Sequence, residues 1–366
     1  MIRDKSIYIK NIYYMLSYAF QNLNQSEYEE VAKEDFNNAA DLFAAIISKG
    51  LGRQLKQGLY REYIDIKEDS KILRGKIDLP GTLRNQIARK QTLSCEHDEL
   101  SENNLYNQII KTSAFYLLKQ KSVSAERKSV LKKETLFLSN VDTIDPASIR
   151  WSSIRFSKNN ANYRMLISIC QLLLEGMLMT TDKGEYRLSS FIDDQHMSRL
   201  YEKFILEYYI KEHPEIKISA SQIEWALDSG ERTMLPIMQS DIMLSKGTSI
   251  LIIDAKYYTR TTQEQYGKHT YHSNNLYQIF TYVKNKEAEL AKIDHEPVSG
   301  MLLYAKTDED IVPDASYQMS GNNIFIKTLD LNQQFPVIAE HLDRIAEDVR
   351  KYRKANDDAA AKFNLD

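Results

Sequence analysis

The chain has 366 residues, room for about two domains of ordinary size, each with its own core. Hydrophobic residues make up 43% and charged residues 27%, which excludes wholesale disorder, and only 12 glycines and 7 prolines leave little room for long loops or a propeller-like all-β fold. Net charge is 48 − 51 = −3, but residues 1–160 carry 25 basic and 20 acidic side chains (+5) and residues 161–366 carry 23 and 31 (−8), so one half is suited to an anionic partner and the other is not.

Helices are predicted over 11–20 and 35–58, the second from the helical spacing of Phe36, Phe43, Ile46 and Ile47. A strand is expected at 60–66, where Tyr60, Glu62, Ile64 and Ile66 share a face, and another at 71–79 with Gly75 at a bend. Helices follow at 79–90 and 103–121, then a loop around Asp145 and Pro146. The polar stretch Ser157–Asn162 marks the expected boundary between a domain of residues 1–160 and one of residues 161–366. Beyond it come helices at 163–179 and 198–211, strands at 216–227, 235–244 and 249–258, a helix at 274–291, strands at 299–306 and 323–331, and a closing helix at 337–355. That helix carries Arg350, Lys351, Arg353 and Lys354 at the end its dipole favours for cations.

Two cysteines, Cys95 and Cys170, cannot build a disulfide framework or the usual four-ligand zinc cluster, and His269, His272 and His295 lack further ligands at useful spacing. With no signal peptide and no apolar run of about 18 residues, the chain reads as soluble and cytoplasmic, with no membrane partner. An α/β chain is expected: an α+β N-terminal domain, then a core whose order of helix, three strands, helix and strand is that of restriction-endonuclease-like folds, a central mixed sheet flanked by helices.

The chemistry-bearing residues lie in that core. Asp254 and Lys256 are two apart in ILIIDAKYY, so they share one face of a strand while Ala255 faces the other. Asp241, in the preceding strand, comes beside Asp254 through a hairpin containing Gly247. Two close carboxylates call for a cation between them, and Mg²⁺ is held by one or two carboxylates with water completing its shell, so Asp241 and Asp254 are the expected metal ligands. Lys256 would orient the attacking water or help deprotonate it. Asp-x-Lys alone is common; Asp65-Ile66-Lys67 and Asp69-Ser70-Lys71 read as solvated charges. The Asp254 triplet differs because four aliphatics, Ile250 to Ile253, run straight into it; a strand-end salt bridge is the competing reading. Gln278 and Tyr282, four apart on the next helix, are placed to contact DNA or hold the lysine. Glu202 is a candidate further carboxylate, or a surface partner for a lysine.

Across nearly its whole length the sequence resembles the McrC subunits of McrBC-type, modified-cytosine-dependent restriction systems. The resemblance rests on NIYYMLSYAF (Asn11–Phe20), Arg74-Gly75-Lys76-Ile77, DELSENNLYNQIIK (Asp98–Lys111), MSRLYEKF (Met197–Phe204), IIDAKYY (Ile252–Tyr258) and HSNNLYQIFTYV (His272–Val283). It implies a C-terminal PD-(D/E)xK nuclease domain with Asp241, Asp254 and Lys256 as its motif, and Gln278 and Tyr282 in the Q-x-x-x-Y pattern of related nucleases. Ser240 stands where that motif usually has proline. It also implies an N-terminal region that docks on and stimulates a McrB-type AAA+ GTPase ring, with GTP bound by the partner. The chain itself contains no G-x-x-x-x-G-K-[ST] P-loop. The substrate implied is double-stranded DNA with modified cytosine, cut by a Mg-dependent type IV restriction endonuclease subunit. Residues 53–133, with 17 basic and 10 acidic side chains, are the expected docking segment. Two other readings are a regulatory GTPase-activating subunit with a vestigial site and a stand-alone repair nuclease. The intact Asp/Asp/Lys set argues against the first, and the long N-terminal half without catalytic motifs against the second.

Overall fold

The structure, a computed structural model, describes residues 3–4, 7–20, 31, 34, 36, 38–178, 194–258, 262–265, 268–291, 295–306 and 312–349. The chain divides into two compact units, one of residues 1–39 and 192–366 and one of residues 40–191. Along the chain, a short ladder of β1 (Arg3–Asp4) and β2 (Ile7–Tyr8) leads into α1 (Ile9–Ala19). The 40–191 unit takes up α2 (Ala39–Gln57), β3 (Glu62–Ser70), β4 (Lys76–Ile77), α3 (Leu79–Ile87), β5 (Leu93–Ser101), α4 (Leu105–Lys119), α5 (Ala125–Thr135) and α6 (Arg164–Leu178).

In that unit Leu42, Phe43, Ile46, Ile47 and Leu51 of α2 are fully buried, as their helical spacing predicts. The three-stranded antiparallel sheet has the order β3-β5-β4. Along β3 burial alternates, with Glu62, Ile64 and Ile66 on the half-buried side. Of the strand expected at 71–79 only Lys76–Ile77 pairs, because Gly75 at φ +64 turns the chain there. The start of α3 is capped by Asp78, whose carboxylate accepts from Gly81 N at 3.1 Å. Neither β5 nor α5 was expected. In β5 only Ser94 and Cys95 are buried, and pairing to β3, not an apolar face, holds the strand; in α5 only Leu131 and Thr135 are buried.

The boundary expected at 160 needs correcting. The stretch around it is tied into the 40–191 unit: Asn162 Nδ2 donates to Gln54 Oε1 at 3.1 Å, and Tyr163 OH donates to Asn107 Oδ1 at 3.0 Å while accepting from Tyr60 N at 2.9 Å. Helix α6 then packs on α4. Helix α1, conversely, belongs to the other unit. Asn11 Nδ2 donates to the Leu331 and Gln333 carbonyls at 2.7 Å each, and the Tyr14 ring stacks on Phe335 at 4.2 Å. These are contacts of long sequence separation, which local polarity does not reveal.

The second unit continues through α7 (Asp194–Glu212), β6 (Lys217–Ser219), β7 (Gln222–Ile223), β8 (Met238–Gln239), β9 (Ile242–Lys246), β10 (Ser249–Lys256), β11 (Thr262–Gln265), β12 (Lys268–Tyr271), α8 (Ser273–Leu290), β13 (Ser299–Ala305), β14 (Ala315–Met319), β15 (Asn322–Leu329) and α9 (Phe335–Asp348). Its six-stranded mixed sheet runs β14-β15-β13-β10-β9-β6; β10, β13 and β15 are parallel neighbours and the other pairings antiparallel. The expected α/β class with a central mixed sheet flanked by helices is what forms. The strands expected at 216–227 and 235–244 are each broken in two, the strand expected at 323–331 forms as β15, and the β11–β12 hairpin and β14 are additions. The basic residues from Arg350 onward lie outside the described residues.

The core explains why β10 and β13 are almost wholly apolar: central parallel strands are covered on both faces. Ile252, Leu302, Tyr304, Ile324 and Ile326 pack with Ile279, Tyr282 and Val283 of α8, while α7 packs against β9 and β10. Gly300 lets α8 sit close to β13, since a Cβ there would stand 2.7 Å from Val283 Cγ2 and 2.8 Å from Ile279 Cγ1. Gly300→Ala is therefore expected to destabilise this unit by about 1–3 kcal/mol through overpacking. The measurement is the urea midpoint at constant m-value; an unchanged midpoint would show that α8 yields freely.

Candidate active site

The site lies at the C-terminal end of β10, where a buried strand emerges. The β9–β10 hairpin turns at Gly247 (φ +67) and pairs Ile242 with Ile253, so Asp241 arrives beside Asp254 as the sequence predicts. Asp241 is held by its own ladder: its Oδ2 accepts from the Ala255 amide at 2.9 Å. The preceding Ser240 is buried, donating from both N and Oγ to the Ser221 carbonyl at 3.1 and 3.2 Å. Ser240 thus anchors the approach to Asp241.

Asp254 is 1% exposed, and its Oδ2 lies 2.8 Å from Lys256 Nζ. Apart from that ammonium and the neighbouring Asp241, no side chain or backbone donor among the described residues reaches either carboxylate oxygen. Burial pushes the Asp254 carboxyl up to about 7; the Lys256 charge opposes this, and the Asp241 charge adds to it. For Lys256, burial acts to lower the pKa, but the charges of Asp254 and Asp241 outweigh it and the ammonium is held above its ordinary value. A buried carboxylate with one lysine as its cationic partner, beside a second carboxylate, is an all-oxygen donor set that suits a hard divalent cation.

Glu202 on α7 faces the same region. Its Oε1 accepts from Ser198 Oγ at 2.9 Å, and its pKa is raised, first by burial and then by the Asp241 charge, with Lys256 opposing. Among the described residues no group of three or more His, Cys, Asp or Glu side chains is arranged to hold a metal ion, so the site offers Asp241 and Asp254 as its carboxylate pair. Gln278 and Tyr282 meet each other, Gln278 Nε2 donating to Tyr282 OH at 2.9 Å. Tyr282 sits in the core under the sheet, and no hydrogen bond joins either residue to Lys256 among the described contacts. The other two Asp-x-Lys triplets lie on or beside β3. Lys67 pairs with Asp78 at 2.5 Å and Glu96 at 3.1 Å, and Asp69 accepts from Asn85 at 2.6 Å.

Sequence reasoning passed over a polar group next to the lysine. Tyr258 OH donates to Asn275 Oδ1 at 3.2 Å, and Asn275 Nδ2 donates to Tyr304 OH at 3.0 Å. The available signal was helical spacing: Asn275, Gln278 and Tyr282 fall at i, i+3 and i+7 on one face of α8.

A mixed sheet that delivers Asp, Asp and Lys to one strand end defines a class of α/β protein with a charged site at the C-terminal end of a central strand. Residues 3–305 match the family described as "McrBC 5-methylcytosine restriction system component", and the chain belongs to that family. It is 28% identical over 343 residues to a protein of Escherichia coli (strain K12) described as "Type IV methyl-directed restriction enzyme EcoKMcrBC", covering 91% of this chain and 95% of the relative. Its fold is similar to a chain in the refined half-complex from a tetradecameric assembly of Thermococcus gammatolerans McrB AAA+ hexamers with bound McrC. The TM-score is 0.51 at 18% identity, over 92% of this chain and 76% of that one. The chain is thus a component of the McrBC type of restriction system.

The raised Asp254 pKa has a consequence for stability. A carboxyl whose folded pKa exceeds its unfolded value favours folding most at low pH, and that contribution is lost as pH rises through about 7. Without divalent metal, the stability of Asp254→Asn relative to wild type should therefore shift in the variant's favour between pH 5 and pH 8, by on the order of 1 kcal/mol or more. Urea titrations in EDTA at both pH values measure this; a pH-independent difference would mean Asp254 stays ionised throughout.

Proposed function

We propose that this chain is the nuclease subunit of a GTP-dependent, modified-cytosine-specific restriction complex, cutting DNA by metal-dependent phosphodiester hydrolysis. The observation that carries the reading is the buried, donor-poor Asp254 with Asp241 and Lys256 at the end of β10, in a chain of a restriction family. Asp241 and Asp254 would hold Mg²⁺, which when bound polarises the phosphate and lowers the pKa of water. Lys256, whose ammonium the charges of Asp254 and Asp241 favour, is placed as a cationic donor that orients the water and offsets phosphate charge. Glu202, with its raised pKa beside Asp241, is placed to accept a proton at the edge of the same site. Gln278 and Tyr282 support the site as one bonded pair on α8. A regulatory subunit with a vestigial site would have no use for keeping Asp254 buried against this burial cost.

The partner in this reading is a McrB-type AAA+ GTPase ring, which binds the GTP; the Thermococcus assembly, of McrB AAA+ hexamers with bound McrC, supports this. The docking role expected for residues 1–160 falls to the 40–191 unit. There Leu79, Leu83 and Ile87 repeat every four residues along α3 and are 67%, 58% and 83% exposed, with Ile72 and Leu73 exposed nearby in sequence. Such a face, amid an excess of basic side chains, suits a protein partner with aliphatic pockets and acidic rims. No helix among the described residues is long and apolar enough to cross a membrane.

In a reconstituted complex with the GTPase encoded beside it, wild-type protein should cut modified DNA only with GTP and Mg²⁺. Asp254→Asn should abolish cutting, a loss of about 10³-fold or more, and leave GTP turnover stimulated. Cutting at the wild-type rate by this variant would falsify the assignment. For docking, Leu83→Glu combined with Ile87→Glu should weaken ring binding and GTPase stimulation by about tenfold or more. Unchanged stimulation would move the docking face elsewhere.

A further inference from the structure

We propose that Asn275 is a positioning residue of the nuclease site, tying together the two tyrosines that bracket Lys256; the inference rests on the nuclease reading above. Asn275 is 5% exposed and sits in the first turn of α8. Its amide is used at both ends: the carbonyl oxygen accepts from Tyr258 OH at 3.2 Å, and the Nδ2 group donates to Tyr304 OH at 3.0 Å. Tyr304 is the residue of β13 that pairs with Lys256 across the parallel ladder. Tyr258 lies two residues beyond Lys256, just past the end of β10. The two rings also meet, with centroids 6.3 Å apart and planes at 44°.

The arrangement answers a physical need. Lysine carries its charge on a flexible four-carbon stem, and within the strand only Asp254 holds the ammonium, 2.8 Å away. Once Asp254 engages a cation or substrate, that hold weakens and the stem needs walls. Tyr258 and Tyr304 supply them on two sides, and one asparagine fixes both hydroxyls relative to α8. An apolar residue at 275 would fill the space equally well but leave two hydroxyls without their partner and the strand end free to shift. A buried polar network of this kind sets one geometry instead of merely filling volume. The same helix turn is anchored by backbone, with Asn275 N and Leu276 N both donating to the His272 carbonyl.

Two measurements test this, both on the full chain in complex with its GTPase. In steady-state cleavage, Asn275→Ala should lower kcat by about tenfold with KM for DNA within about twofold of wild type, because misplacing a catalytic group affects the transition state and not ground-state binding. Tyr304→Phe should lose less, and the double variant should be no slower than Asn275→Ala alone, as expected when both act through one bond. Independently of activity, competitive acetylation read by peptide mass spectrometry should show Lys256 labelled severalfold faster in Asn275→Ala, while Lys306, paired with Asp330 at 2.8 Å, is unchanged. Unaltered Lys256 labelling, an unaltered kcat, or a loss shared with GTPase stimulation and Lys306 protection overturns the proposal. Should the alanine variant fail to fold, Tyr304→Phe carries both readouts with the removal of one hydroxyl. A wild-type complex that cuts no DNA would remove the nuclease reading, and the labelling would still decide whether Asn275 holds Lys256.

Discussion

Everything at the site depends on placing a carboxylate at the end of a strand that is otherwise buried hydrocarbon. Ile250 to Ile253 carry β10 through the middle of the sheet, and the next residue, Asp254, has almost no exposure. Burial of that kind is unfavourable for a charge, and the fold tolerates it because Lys256 lies within ion-pair distance on the same face. The second carboxylate, Asp241, adds repulsion, which a bound cation would turn into attraction. The surrounding architecture follows: a β9–β10 hairpin that brings Asp241 alongside, a parallel partner that sets Tyr304 beside Lys256, and a helix whose first turns close one side.

Helix α8 is where packing and chemistry meet. Its buried face, Ile279, Tyr282 and Val283, packs onto the sheet closely enough that Gly300 has to lack a side chain. The polar residues at the same helical phase, Asn275 and Gln278, are carried to the sheet end by that packing. Core contacts therefore set the distances of the polar network, and a change in the core is felt at the site.

The division into units separates the anionic site from the basic face by covalent architecture. The 40–191 unit is inserted between α1 and α7, so the unit with Asp241, Asp254 and Lys256 is discontinuous in sequence. An acidic unit gains little affinity for DNA by itself. On the proposed reading, tethering it through a separate unit to a ring that engages DNA would raise its effective concentration without changing its own charge.

The elements legible in the sequence are those with a helical apolar period, α2, α4, α6, α7 and α8, and those that are short aliphatic runs, the β9–β10 hairpin, β13 and β15. The sequence also determined that Asp241, Asp254 and Lys256 converge, because hairpin register and the two-residue period of a strand are local properties. The family blocks were equally legible, since they are strings of residues. The tertiary structure alone decided that α1 belongs with residues 192–366, that the polar stretch at 157–162 is interior to a unit, and that β5 is a strand although it buries little. Each of these depends on contacts between residues more than about 12 apart, such as Tyr14 on Phe335 or β5 on β3, and one-dimensional periodicity carries no information about such partners. The Tyr258–Asn275–Tyr304 tie belongs to the same class: three residues from a strand end, a helix and a neighbouring strand whose hydrogen bonds exist only once the sheet and α8 are packed.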